Sequence, residues 1–102
     1  MIQGTTPKHT FVLDVDVDQI KKVNILYTQE GYIVLKKTTE DCEFDKESKS
    51  VAVTLSQQDT FDFNTEAKVE VQVRLLLNDG QALASDPVKM SVSRCFDNEV
   101  IE

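Results

Sequence analysis

Asp14, Asp16 and Asp18 spell D-x-D-x-D, the one place in the chain where acidic side chains recur at a spacing that suggests a bound cation. An EF-hand calcium loop would continue with glycine and close on a glutamate at its twelfth position, where this chain has Gln19 and Ile25. On an extended strand, side chains two apart lie ~6.6 Å from one another, whereas calcium draws its oxygens in to ~2.4 Å. The triplet therefore reads as a solvated strand face. His9 is the only histidine, so neither a His pair for zinc nor a His beside Cys or Ser at a recognisable spacing can be built. It reads as a surface residue entering a strand. Cys42 and Cys95 lack C-x-x-C spacing and behave as small apolar residues when buried. The carboxylate pairs Glu40-Asp41 and Asp59 with Asp62 are what an acidic surface scatters. No phosphate-binding glycine loop or nucleophile elbow occurs. The residues assign no catalytic, cofactor-binding or metal site, imply no cofactor, and lead to the expectation that the protein is not an enzyme. Tyr27 and Tyr32 flank a turn and offer rings for stacking on a sugar or another protein, although Tyr27 shares the parity of core valines and reads more simply as a core residue with its hydroxyl at the rim.

The elements that must position these residues are strands. Ala67, Val69, Val71, Val73, Leu75 and Leu77 occupy every second position, with Lys68, Glu70, Gln72 and Arg74 between them, the period of a half-buried strand. Asn78-Asp79-Gly80 supplies a reversal, and the return arm to Ser93 is expected to turn Val88, Met90 and Val92 inward, interrupted at Ser85-Asp86-Pro87 because proline cannot donate to a ladder. Earlier, Phe11, Leu13, Val15 and Val17 share one face of a first strand, and Asp18 to Lys22 makes a polar corner. Val23, Ile25 and Tyr27 mark a second strand, in which Leu26 hints at burial on both sides. Gln29-Glu30-Gly31 turns it into a third strand at Tyr32 to Leu35. Cys42 and Phe44 give a short fourth strand fit for an edge, and Val51, Val53 and Leu55 a fifth. Ser56 with Asp59 three residues on predicts one capped helical turn, followed by Phe61 and Phe63 as a plug for one end of the core. Residues 1–7 form a polar lead-in that makes a short edge strand or none, and the stretch after Arg94 is an acidic, frayed tail.

The predicted fold is all-β, a single domain over residues 1–102. It is an immunoglobulin-like sandwich of two antiparallel sheets, about seven strands and one helical turn, with strands two, three, six and seven in one sheet and one, four and five in the other. A small barrel is the structural alternative. The chain lacks the buried tryptophan and the inter-sheet cysteine pair of a true antibody domain. Its 102 residues suffice for one aliphatic core. A net charge of −7 with scattered basic residues argues against a nucleic-acid backbone as partner and leaves a basic protein surface open. Neither a secretory leader nor a membrane-spanning run is evident, so a cytosolic setting with two free thiols is expected, with a disulfide as the lesser reading. Free edges of strand four or seven offer backbone groups for strand addition.

Several stretches resemble a family of short proteins from the structural gene modules of phages and prophages of Gram-positive bacteria. They are Gly4-Thr5-Thr6-Pro7, Ile33-Val34-Leu35-Lys36-Lys37, Val53-Thr54-Leu55-Ser56-Gln57-Gln58-Asp59-Thr60, Val71-Gln72-Val73-Arg74 and Asp79-Gly80-Gln81-Ala82-Leu83-Ala84-Ser85. The pattern is similar as well to the immunoglobulin-like N-terminal domain of phage baseplate upper proteins. The resemblance implies a non-enzymatic structural or assembly protein of the tail, baseplate or neck region. Its partners would be other phage structural proteins or further copies of itself through edge strands, with no nucleic acid and no membrane. Such a protein is made in the host bacterial cytoplasm during assembly, and a structural role would carry it into the virion. Two other readings stand beside this one, a small acidic effector that binds a basic host protein, and a carbohydrate-binding module using Tyr27 and Tyr32.

Overall fold

Val69, Val71, Val73, Leu75 and Leu77 are all buried, while Glu70 and Arg74 between them reach solvent, as a period of two requires of a strand with one wet face. In the computed structural model, which describes all 102 residues, this strand is β6 (Val69–Leu77). It pairs antiparallel along its length with β2 (Ile20–Gln29), whose Val23, Ile25 and Tyr27 are buried on the same face. β2 turns into β3 (Tyr32–Thr38), and the far side of β6 is covered in succession by β7 (Ala82–Ala84) and β8 (Val88–Met90). The second sheet has the order β1 (Lys8–Val12), β5 (Ser50–Thr54), β4 (Cys42–Asp45). Val51 and Val53 of β5, with Leu55 just past it, press the two sheets together. Each such side chain contributes ~1.5–3 kcal/mol on burial.

The order β3-β2-β6-β7/β8 against β1-β5-β4 is the arrangement C′-C-F-G against B-E-D of an immunoglobulin-like sandwich. The segment Ser85-Asp86-Pro87 divides the last strand in two, giving eight strands where about seven were expected. Leu76, Gln72 and Glu70 form the outer side of β6, and Leu26 beside Gln72 and Lys36 is half-buried among them rather than buried on both sides.

Three expectations need correction. The first strand ends at Val12, not Val17, because β5 starts at Ser50 and offers no partner beyond; only the Leu13 N–H still reaches back, to the Lys49 carbonyl. The inward alternation of Leu13 and Val15 outlasts the ladder. Val88 stands opposite buried Val71 but is 51% exposed, since it sits on the sheet's edge strand just after the proline break. The run Tyr32 to Leu35 contains a β-bulge: Thr28 pairs with Ile33 and Tyr27 with Leu35, leaving Val34 unpaired. The bulge keeps Leu35 inward beside Tyr27 and leaves Ile33 outward.

The helical turn α1 (Gln57–Phe61) closes one end. Ser56 Oγ accepts from the Asp59 N–H at 3.0 Å and the Ser56 N–H donates to Asp59 Oδ2 at 2.9 Å, the reciprocal box expected of this spacing. Phe63 is buried behind it. The lead-in is ordered here: Thr60 Oγ1, fully buried, accepts from the Gly4 N–H and donates to the Thr5 carbonyl, and Ile2 lies parallel to Ser93. Gly4 has φ +78°, and a Cβ built there would lie 2.8 Å from the Phe61 ring.

Replacing Gly4 with alanine should cost about 1–2 kcal/mol for the left-handed backbone alone, read as a lower urea midpoint. Glu30 holds φ +51° in the β2–β3 turn without being glycine. Glu30→Asn, which suits that region better, should raise the unfolding free energy by about 0.5–1 kcal/mol; an unchanged or lowered urea midpoint would contradict a backbone cost at this turn.

Candidate functional site

Tyr27 lies near the end of β2 with its ring fully buried against Phe63, centroids 5.8 Å apart. Its hydroxyl is not at a rim. It meets His9 Nδ1 on β1 at 2.7 Å, so a residue read as surface histidine joins the two sheets. Burial raises the Tyr27 pKa far above its ordinary value, reinforced by nearby Cys42 and Asp59, and the phenol stays protonated. The phenol and the imidazole therefore share a hydrogen bond in which the tautomer of His9 sets which of Oη and Nδ1 donates. Burial, and next the positive N-terminus, lower the His9 pKa, which favours the neutral imidazole.

Beside this pair, Lys37 Nζ of β3 meets Asp59 Oδ2 of α1 at 2.9 Å, the two side chains only 18% and 17% exposed. Burial acts to raise the Asp59 pKa, but the Ser56 N–H and Lys37 ammonium more than offset it, and the carboxyl lies below its usual range. Cys42 on β4 donates its thiol to the Thr38 carbonyl at 3.3 Å, and burial, with Asp41 adding and Lys37 opposing, pushes its pKa up to about 11. A thiol held in that form is a weak nucleophile. Of four residues singled out for separate reasons, His9, Cys42 and Asp59 thus gather around the fourth, Tyr27, with Lys37 as the member sequence reasoning missed. No signal in the chain pairs Lys37 with Asp59, because they meet only when α1 packs on β3.

The aspartate triplet disperses. Asp18 pairs with Lys46 at 2.7 Å and Asp16 with Lys49 at 3.3 Å, both exposed, while Asp14 has no ion pair. No three His, Cys, Asp or Glu side chains converge at metal-binding distance. Cys42 and Cys95 are both free. Because Tyr27 shows no ring face to solvent, the two-tyrosine stacking platform does not exist; Tyr32 alone, 77% exposed, remains on the surface.

What the surface does offer is unpaired strand. β3 has a partner on one side only, and its free edge begins with Tyr32 and Ile33, the latter 61% exposed. On the opposite side of the sandwich, β1 and β7 are also edges, and between the Val12–Val15 stretch and β7 opens a cleft of ≈ 250 Å³ lined by mostly apolar side chains. No helix of the protein is long and apolar enough to cross a membrane.

No family model and no curated protein matches the chain. Among solved structures it is similar to the V domain of amphioxus IgVJ-C2, with 17% sequence identity and a TM-score of 0.37, over 90% of this chain and 96% of that one.

Two measurements test the cluster. Tyr27→Phe leaves His9 Nδ1 without its partner and should cost about 1 kcal/mol in urea unfolding. Since the folded-state pKa of His9 is lowered, the unfolded chain binds the extra proton first, and stability should fall as pH drops below the ordinary value of 6.5. His9→Gln should flatten that slope; an identical slope in the variant would place the titration elsewhere.

Proposed function

We propose that the chain is a non-enzymatic structural or assembly protein of a phage or prophage particle, of its tail, baseplate or neck region, acting through protein-protein contacts. The observation that carries the contact role is the free edge of β3. It puts two large apolar side chains, Tyr32 and Ile33, into solvent next to an unpaired backbone. Soluble proteins usually guard such edges, and the guards here, Lys36-Lys37 and the bulge at Val34, stand farther along the strand. The particle assignment draws its support from the stretches that resemble phage structural-module proteins, among them Ile33-Val34-Leu35-Lys36-Lys37 on this same edge.

In this reading the rigid sandwich is a mount, and specificity lies in what the edges accept. The partners are other structural proteins of the particle or further copies of the chain, met in the host cytoplasm during assembly.

Purified particles and their assembly intermediates, probed by mass spectrometry, should contain the chain at fixed stoichiometry. The double substitution Tyr32→Ser with Ile33→Asp, at two exposed positions, should leave the urea midpoint within about 0.5 kcal/mol while lowering incorporation severalfold. Absence of the wild-type chain from particles and from every intermediate would remove the proposal.

A further inference from the structure

We infer that the cleft between Val12–Val15 and β7 receives an extended segment of a different protein, one in which apolar side chains alternate with polar ones and lysine or arginine passes Asp14 and Asp86. The inference rests on reading the chain as a contact module and names a second contact and the chemistry of its partner.

The cleft is flanked by two strands that each lack a neighbour, since β1 pairs only with β5 and β7 only with β6. Its floor is core: Val73 and Leu75, which line it, are only 3% and 8% exposed. Val12, Leu13, Val15 and Leu83 form the walls. A dry cavity of ~150 Å³ holds a benzene-sized group, so ≈ 250 Å³ accommodates about two aliphatic side chains. Two such side chains on one face of a strand stand ~6.6 Å apart, and an extended segment can bond to unpaired backbone beside it as it delivers them. The molecule already uses this solution at its other end. Past β8, the chain's own residues Met1–Gln3 run beside Ser93, bonded through the Ser93 N–H to the Met1 carbonyl at 2.8 Å and the Gln3 N–H to the Ser93 carbonyl at 3.0 Å.

Charge selects the occupant. Asp14 belongs to the cleft wall and Asp86 follows the lining residue Ser85; neither has an ion pair, unlike Asp16 and Asp18. A second copy of this chain is a poor fit. Its exposed apolar stretch near the C-terminus, Phe96 with Val100 and Ile101, is interleaved with Asp97, Glu99 and Glu102, and each copy carries a net charge of −7. That stretch is also held at home, where the Gln57 amide bonds both the N–H and the carbonyl of Ile101.

The test titrates isotope-labelled protein with two short synthetic peptides, one alternating valine with threonine and lysine, the other with glutamate in place of lysine, while backbone amide signals are followed. The lysine peptide should shift signals at Val12–Val15 and Leu83–Ser85 and bind on the order of tenfold more tightly than the glutamate peptide at low salt, the gap narrowing as salt is added. Asp14→Lys with Asp86→Lys, both at exposed positions, should reverse the preference. Shifts confined to Tyr32–Val34, or none with either peptide, would overturn the inference, and so would the same cleft signals moving with protein concentration alone, which would make the occupant a second copy. Because the readout needs no particle, a failed titration beside a chain found in virions removes only this inference. A successful one beside empty virions removes only the particle assignment.

Discussion

A phenol hydroxyl sealed away from water must find its partner inside the protein, and much of this structure is arranged around that constraint at Tyr27. The ring belongs to the core by parity and volume, yet its oxygen cannot stay unbonded without a penalty of about 1–3 kcal/mol. His9, half-buried on the opposite sheet, supplies the partner. The bond ties β1 to β2 at one relative position, and the Phe63 ring packed against Tyr27 brings in the end of the molecule closed by α1. The same economy recurs around it. Gln29, buried at the end of β2, bonds the Asn64 N–H and carbonyl and the Ala67 carbonyl, and Thr60 satisfies itself on the lead-in. No buried side-chain polar atom lacks a partner.

These polar pins sit toward the end of the sandwich that α1 closes, and they divide the molecule in two. Where pins and helix are present, the gap between the sheets is closed by Phe63, Leu55 and the Lys37–Asp59 ion pair. Where they are absent, beyond Val12 and along β7, the sheets part and core side chains reach the surface. The cleft lies where the sandwich has run out of its own chain to cover it. Asp14 lines that opening and Asp86 follows the lining residue Ser85, both without an ion pair.

Much of the architecture was legible because its signals are local. Alternation along residues 67–77 marked β6, Ser56 with Asp59 marked the capped turn, Gly80 at φ +90° occupies the reversal expected of it, and Ser85-Asp86-Pro87 broke the final strand. The division of strands between the two sheets followed from turn spacing and the pattern of a sandwich. The site was legible only in fragments. His9 was read as exposed and the Tyr27 hydroxyl as rim-bound, since nothing within ten residues of either says that they are partners across sheets.

The sequence by itself determined which faces are apolar, where the chain reverses and how its helical turn begins, because each depends on dihedral preferences and side-chain spacing within a few residues. Only the tertiary structure decided where the ladders stop, which polar groups are taken out of water together and which edges are left bare. The first strand ends at Val12 because β5 has no more residues to offer, and the bulge at Val34 exists to bring Leu35 back beside Tyr27. Those outcomes are set by what a distant strand can supply, and no local pattern carries that information.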